Sequence, residues 1–108
     1  MPKNIFISDA AYADMDEIFS YISSNLYSPD AAGKLLDKIF DSMAPLGDFP
    51  LIGAIPNNNV LATQGYRLLT VDNFIIFYIP KDNEVQIVRI IYGRRDWETI
   101  LVNEGTKS

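Results

Sequence analysis

Cysteine and histidine are both absent from this chain of 108 residues. That removes disulfides, thiolate nucleophiles, Cys/His zinc sites and histidine acid–base catalysis together. Any chemistry therefore falls to Arg, Lys, Tyr, Ser/Thr or carboxylates, and no cofactor or metal is expected. Long apolar runs are missing too, so nothing approaches the ~18 residues that read as a membrane span. Residues 1–7 hold only three consecutive apolar side chains before Ser8 and Asp9, short for a signal-peptide core. The expectation is a cytoplasmic protein. Positive charge is scarce: nine Lys and Arg face 14 Asp and Glu, a net charge of −5. Such a chain repels phosphate at long range, which argues against a general nucleic-acid binder.

What remains is an ordinary globular composition, 48% apolar and 21% charged, with room for one domain. That domain is expected over residues 1–103, with residues 104–108 as a flexible tail. The charge is unevenly placed. Residues 1–59 carry three lysines against eight acids, whereas residues 60–108 carry six cations and six acids. All four arginines (Arg67, Arg89, Arg94 and Arg95) lie in the second part.

Residues 4–7 read as a short strand, and Ser8 or Asp9 can cap the helix that follows. From Asp9 to about Leu26, Met15, Ile18, Phe19, Ile22 and Leu26 recur at three- and four-residue steps, the period of an amphipathic helix. Ser28 and Pro29 then supply an N-cap and a proline at the first helical position. Ala32, Leu35, Leu36, Ile39, Phe40 and Met43 form the stripe of a second helix, stopped by Pro45 and Gly47. A connection of about three residues makes the two helices an antiparallel hairpin. Met15, Ile18, Ile22, Leu35, Ile39 and Phe40 are its expected contacts with the rest of the core.

Residues 48–59, with two prolines and three consecutive asparagines, read as irregular. Three runs dense in β-branched and aromatic residues follow, at 65–71, 74–79 and 85–92, joined by turns at Asp72-Asn73 and at 80–84. They make an antiparallel meander. Asp96 can cap a short closing helix through Leu101. The class is α+β, in the order β-α-α-β-β-β with a short C-terminal helix.

The middle run is apolar on both faces: Phe74, Ile76 and Tyr78 point one way, and Ile75, Phe77 and Ile79 the other. A hairpin covers only one. The second face must be covered by the C-terminal helix, a second copy or a partner. Ile75, Phe77, Ile79 and Tyr92, with Arg94 and Arg95, are therefore the candidate partner-binding residues.

Two charged groupings invite a chemical reading. Asp14 and Glu17 share a helix face near Asp9 and Asp16, but the absence of a Gly-containing calcium loop favours a solvated acidic turn. Gly93-Arg94-Arg95-Asp96 is the sharper feature. Two adjacent arginines can grip a phosphate, or one can pair with Asp96, Glu98 or a hairpin carboxylate while the other stays in water.

Taken in order, Tyr66-Arg67-Leu68-Leu69, residues 73–78 and residues 85–96 resemble the RelE/ParE family of bacterial toxins. The upstream residues fit as well: Asp14-Met15 with Ile18, Tyr21 and Ile22, then Pro29, Ala31 and Ala32, then Leu46, Phe49-Pro50 and Gly53. The resemblance runs from about Ile5 to Leu101. It implies a toxin of a type II toxin–antitoxin or plasmid-stabilisation module, held inactive by a cognate antitoxin, either as a hetero-oligomer or with the toxin as a homodimer. RelE-like members cut messenger RNA on the ribosome, and ParE-like members act on DNA gyrase.

Under the cutting reading, the candidate residues are Arg95, Arg94, Arg89 and Arg67. Only Arg95 matches a catalytic position. Tyr66 and Leu68 stand where RelE-like enzymes place lysines, Ile75 where they place an arginine, and Leu101 near their C-terminal tyrosine. The resemblance therefore favours a ParE-like binding toxin. A ribonuclease, or a decayed module that only binds its antitoxin, are the alternatives.

Overall fold

A computed structural model describes residues 2–105 of the chain. Its order is β1 (Asn4–Ile7), α1 (Asp9–Ser20), α2 (Pro29–Met43), α3 (Asn59–Thr63), β2 (Arg67–Val71), β3 (Phe74–Pro80), β4 (Glu84–Tyr92) and α4 (Trp97–Gly105). The four strands form one sheet in the order β1-β4-β3-β2. β2, β3 and β4 are the antiparallel meander, and β1 adds to β4 in parallel. This is the α+β arrangement expected.

Each long helix begins as its sequence dictates. The Ser8 hydroxyl accepts the Ala11 N–H at 3.0 Å and donates to the Val88 carbonyl at 2.7 Å, so one residue caps α1 and ties it to β4. Ser28 caps α2 at the Ala31 N–H, with Pro29 opening the helix. Asp96 accepts from the Thr99 N–H and from its hydroxyl, fixing the start of α4. Beyond Ser20 the first helix widens into a π turn over Tyr21–Asn25. The hairpin tip that follows places Tyr27 at φ 52°, with its side chain 88% exposed. Few non-glycine residues adopt that conformation.

The first core lies between the helical hairpin and one sheet face. Ala11, Met15, Ile18, Leu35, Ile39, Met43 and Leu46 meet Ile76, Tyr78, Val85, Ile87 and Ile90 there. Ile22 is partly buried against the same cluster, but Phe40, expected among the contacts, is 44% exposed. Met43, one turn further along, fills that inward position instead.

The second face is covered by the chain itself. Leu61 of α3 and Leu101 of α4 join Tyr66, Phe77 and Ile91, with Leu68, Ile75, Ile79, Val88 and Trp97 packed around them. α4 is longer than expected and runs to Gly105, so Glu104 is helical rather than part of a tail. The remainder of the expected tail, 106–108, lies outside the described residues. α3 begins at Asn59, the last residue of the segment expected to be irregular, and fills residues 60–63, for which no element was expected. Asn58 caps it at Leu61 and also donates to Glu98 of α4 at 2.8 Å, so the two helices close over the face together.

The rest of that segment is locked rather than loose. The Tyr78 hydroxyl donates to the Pro50 carbonyl at 2.8 Å and accepts the Gly53 N–H at 2.9 Å. Arg67 donates to the carbonyls of Leu51 and Gly53, and Ala54 exchanges two 2.9 Å bonds with Leu68 on the outer edge of β2. A Cβ on Gly53 would lie 2.6 Å from the Tyr78 hydroxyl and 2.8 Å from the Leu68 carbonyl. Gly53→Ala is accordingly expected to lower stability by about 1–3 kcal/mol, the usual cost of overpacking. The urea midpoint of unfolding checks this.

Candidate functional site

The opposite ends of the site come from separate halves of the chain, and β4 brings them together. In the pairing of β3 with β4, Phe77 lies opposite Arg89 and Tyr78 opposite Ile87, which leaves Val88 unpaired in a β-bulge. The bulge shifts the alternation. Val85 and Ile87 face the first core, as does Ile90, whereas Val88 and Ile91 face the second. It also falls where β1 has ended, since the last β1 pair is Ile7 with Ile87. From this open edge Arg89 reaches helices on both faces of the sheet.

The Arg89 guanidinium donates to both oxygens of Asp14 on α1, at 2.7 and 2.8 Å, and to Glu104 on α4 at 3.0 Å. Asp14 also accepts the Ile90 N–H at 2.9 Å, a donor left open by the end of β1. The Arg89 and Asp14 side chains are 15% and 8% exposed. The Asp14 hydrogen bonds and both carboxylates hold the Arg89 pKa above its ordinary value against a smaller loss from burial. Tyr66 lies beside this network. Burial, helped by Glu104 and opposed by Arg89, raises the pKa of its hydroxyl.

Two of the four arginines read as ribonuclease candidates are therefore structural. Arg89 is spent on Asp14 and Glu104, and Arg67 on the 51–53 backbone. Arg94 and Arg95 stay exposed, and neither guanidinium has a hydrogen bond or ion pair among the described residues. Of the candidate partner-binding residues, Phe77 is fully buried, its ring 5.2 Å from that of Trp97 on α4. It offers no surface while α4 is seated. Ile75 and Ile79 are partly buried in the same cluster, and only Tyr92, Arg94 and Arg95 are accessible.

Tyr92 and Arg95 border a groove that sequence reasoning did not locate. Its wider part, about 460 Å³, lies between the π turn with the hairpin tip (Tyr21, Ile22, Leu26) and the β2–β3 turn. Its narrower part, about 170 Å³, continues along α1 past Glu17 to Arg95. Phe74 and Tyr92 line both parts as an edge-to-face pair with centroids 5.6 Å apart. Asp14, expected in a solvated acidic turn, is instead buried, and that much was legible in principle. It sits between Ala11 and Ile18 at helical spacing, on the buried stripe of α1, where a carboxylate demands a cation. Which arginine answers it, 75 residues away, was not. Among the described residues no group of three or more acidic side chains converges in a way that would hold a metal ion.

Two outcomes follow from this geometry. Asp14→Ala leaves Arg89 with Glu104 alone and the Ile90 N–H without an acceptor, and unfolding measurements should show a loss of about 3 kcal/mol, the lower end of the cost of breaking a buried pair. Stability should also fall as pH rises above about 10. Tyr66 and Tyr78 hold their protons more tightly folded than at the ordinary value of 10.0, so their contribution is complete below that pH and is lost above it. Absorbance titration should show two late-ionising tyrosines in the native protein, and Tyr66→Phe should remove one of them.

Comparison with known proteins places this geometry in a family. A family model described as the ParE toxin of the type II toxin–antitoxin system parDE matches residues 5–97. The chain is similar to a solved structure of the chromosomal ParDE toxin–antitoxin system from P. aeruginosa, with 28% identity and a TM-score of 0.70 over 83% of this chain and 95% of that one. It also shares its fold with a chain of the RelBE2 toxin–antitoxin complex from Mycobacterium tuberculosis, at 18% identity and a TM-score of 0.57 over 85% and 99% of the two chains. No curated protein sequence matches. Matched over most of its length and built on the strand, hairpin and meander described above, the chain belongs to the ParE toxin family of type II toxin–antitoxin systems.

Proposed function

We propose that the protein is a cytoplasmic toxin that acts by binding a protein target, DNA gyrase in the ParE-like reading, and that a cognate antitoxin neutralises it. One observation carries the choice of binding over cutting. The four residues standing where RNA-cutting relatives would keep catalytic groups (Tyr66, Leu68, Ile75 and Leu101) all belong to the apolar cluster beneath α3 and α4. Leu101 is fully buried and Tyr66 is 4% exposed.

Metal-free RNA cleavage needs a base for the 2′-hydroxyl, stabilisation of charge on the phosphate and an acid for the leaving oxygen. The raised pKa of Tyr66 makes it a poor base near neutrality. Arg89 is held by two carboxylates. Arg95 alone remains at a position matching the cutting pattern, and one guanidinium fills one of the three roles.

Induced expression tests the reading, with RNA ends sequenced beside a gyrase supercoiling assay. Growth arrest with inhibited supercoiling and intact messages is expected. Codon-phased messenger cleavage, lost in Arg95→Ala, would establish the ribonuclease instead. No arrest at all would identify a module that has lost its toxicity.

A further inference from the structure

We infer that residues 49–66 form a self-association face, on which a second copy of this chain docks through Phe49, Leu51, Ile52 and Ile55. The inference goes beyond the toxin–antitoxin reading and does not depend on it.

Charge marks the segment first. No Asp, Glu, Lys or Arg lies between Asp48 and Arg67, the longest such stretch in a chain with nine cations and 14 acids. Phe49 and Leu51 are each 62% exposed, Ile52 is 54% and Ile55 59%. Apolar side chains so concentrated on the surface mark a face that another molecule covers. The backbone beneath them is held. Besides the bonds from Arg67, Tyr78 and Leu68, the Phe49 N–H donates to the Pro45 carbonyl at 2.8 Å. A surface already fixed loses little conformational freedom when it is covered.

The same segment contains a receptor for such side chains. Leu51 and Ile55 line a hollow of about 260 Å³ with Ala62, Gly65 and Pro80. A ring the size of benzene needs only about 150 Å³. Phe49 stands two residues from Leu51, so a projecting ring and an apolar hollow lie on one stretch of chain. A two-fold contact requires that pairing, because each copy must both give and receive.

Charge and area then select the occupant. Arg67 is the one cation lining the hollow, and its guanidinium is spent on the carbonyls of Leu51 and Gly53. A nucleic acid or an anionic membrane surface therefore finds no free cation there. Two copies, each with a net charge of −5, repel at long range, and an uncharged face is where they touch with the fewest like charges brought together. Specific contacts begin at about 1,000 Å² buried in total. Four large side chains more than half exposed on each copy, with the uncharged residues between them, reach that scale but not that of a permanent dimer. The dimer is weak and reversible.

Sedimentation velocity on the full chain tests this between about 1 µM and 1 mM, the range of weak complexes. A concentration-dependent dimer is expected. It should tighten as salt rises from about 0.01 to 1 M, where the screening length falls to about 3 Å and the repulsion between copies is lost. Leu51→Lys and Ile55→Lys change exposed side chains, and thermal unfolding should confirm that both fold as the parent does. Each should raise the dimer Kd by about tenfold or more, the scale of a hot-spot residue. Leu26→Lys, at the comparably exposed hairpin tip, should leave it within about twofold. A parent that stays monomeric throughout overturns the inference, and so does a dimer that salt weakens, since its contact would be ionic. A dimer lost in Leu26→Lys but kept in the other two variants lies on another face, and the inference fails. If Leu51→Lys and Ile55→Lys keep the dimer but weaken binding to the product of the adjacent reading frame, a different protein covers the face. The inference then fails while the toxin–antitoxin reading stands.

Discussion

A central strand that is apolar on both faces has to be covered twice, and most of this architecture follows from that. Ile76 and Tyr78 on one side of β3, and Phe77 on the other, are buried without remainder. The helical hairpin serves the first face. The second is closed by two short helices, one of five residues and one of nine. Neither has enough apolar surface to be stable alone, so their order depends on the sheet they cover. Arg89 makes the two layers interdependent. Its guanidinium holds α1 through Asp14 and α4 through Glu104, across the edge of β4 left open where β1 ends, beside the bulge at Val88. Remaining a cation at all physiological pH, it keeps that tie in place.

Much of this was legible in the sequence. Three- and four-residue spacing and the caps Ser8, Ser28 and Asp96 locate the helix starts because capping is a local interaction, written within three residues. The meander is legible for a similar reason, since alternation and the Asp72-Asn73 turn act over short distances. The rest depends on long-range placement. α3 is too short to show a period, and its Asn58 cap is hidden in a run of three asparagines. The π turn leaves no periodic trace. Phe40 carries the right spacing but lies at the rim of the stripe, where geometry rather than hydrophobicity decides burial. Glu104 reads as tail because its partner, Arg89, lies on a different element.

The candidate site illustrates the same division. The four arginines share the second part of the chain, yet the fold separates them by role: two hold backbone or carboxylates, and two stand free at the C-terminal end of β4. Burial does the sorting. An arginine beside a buried acid, or beside carbonyls that would otherwise lack donors, is drawn into the structure, whereas Arg94 and Arg95 follow the last strand with nothing buried to satisfy. Tyr66, Leu68, Ile75 and Leu101 pack together on the second face, so that side of the sheet goes to completing the core.

The seating of α4 also has an optical consequence. Trp97 is the one tryptophan of the chain, and its indole rests against the ring of Phe77 in the second core. Its emission therefore reports on a single event, the contact of α4 with the sheet, free from any second indole. Excited selectively, it distinguishes a closed molecule from one whose last helix has lifted, with no label added and no residue changed. A chain otherwise without a sulfhydryl to modify carries its own probe at the joint between its two layers.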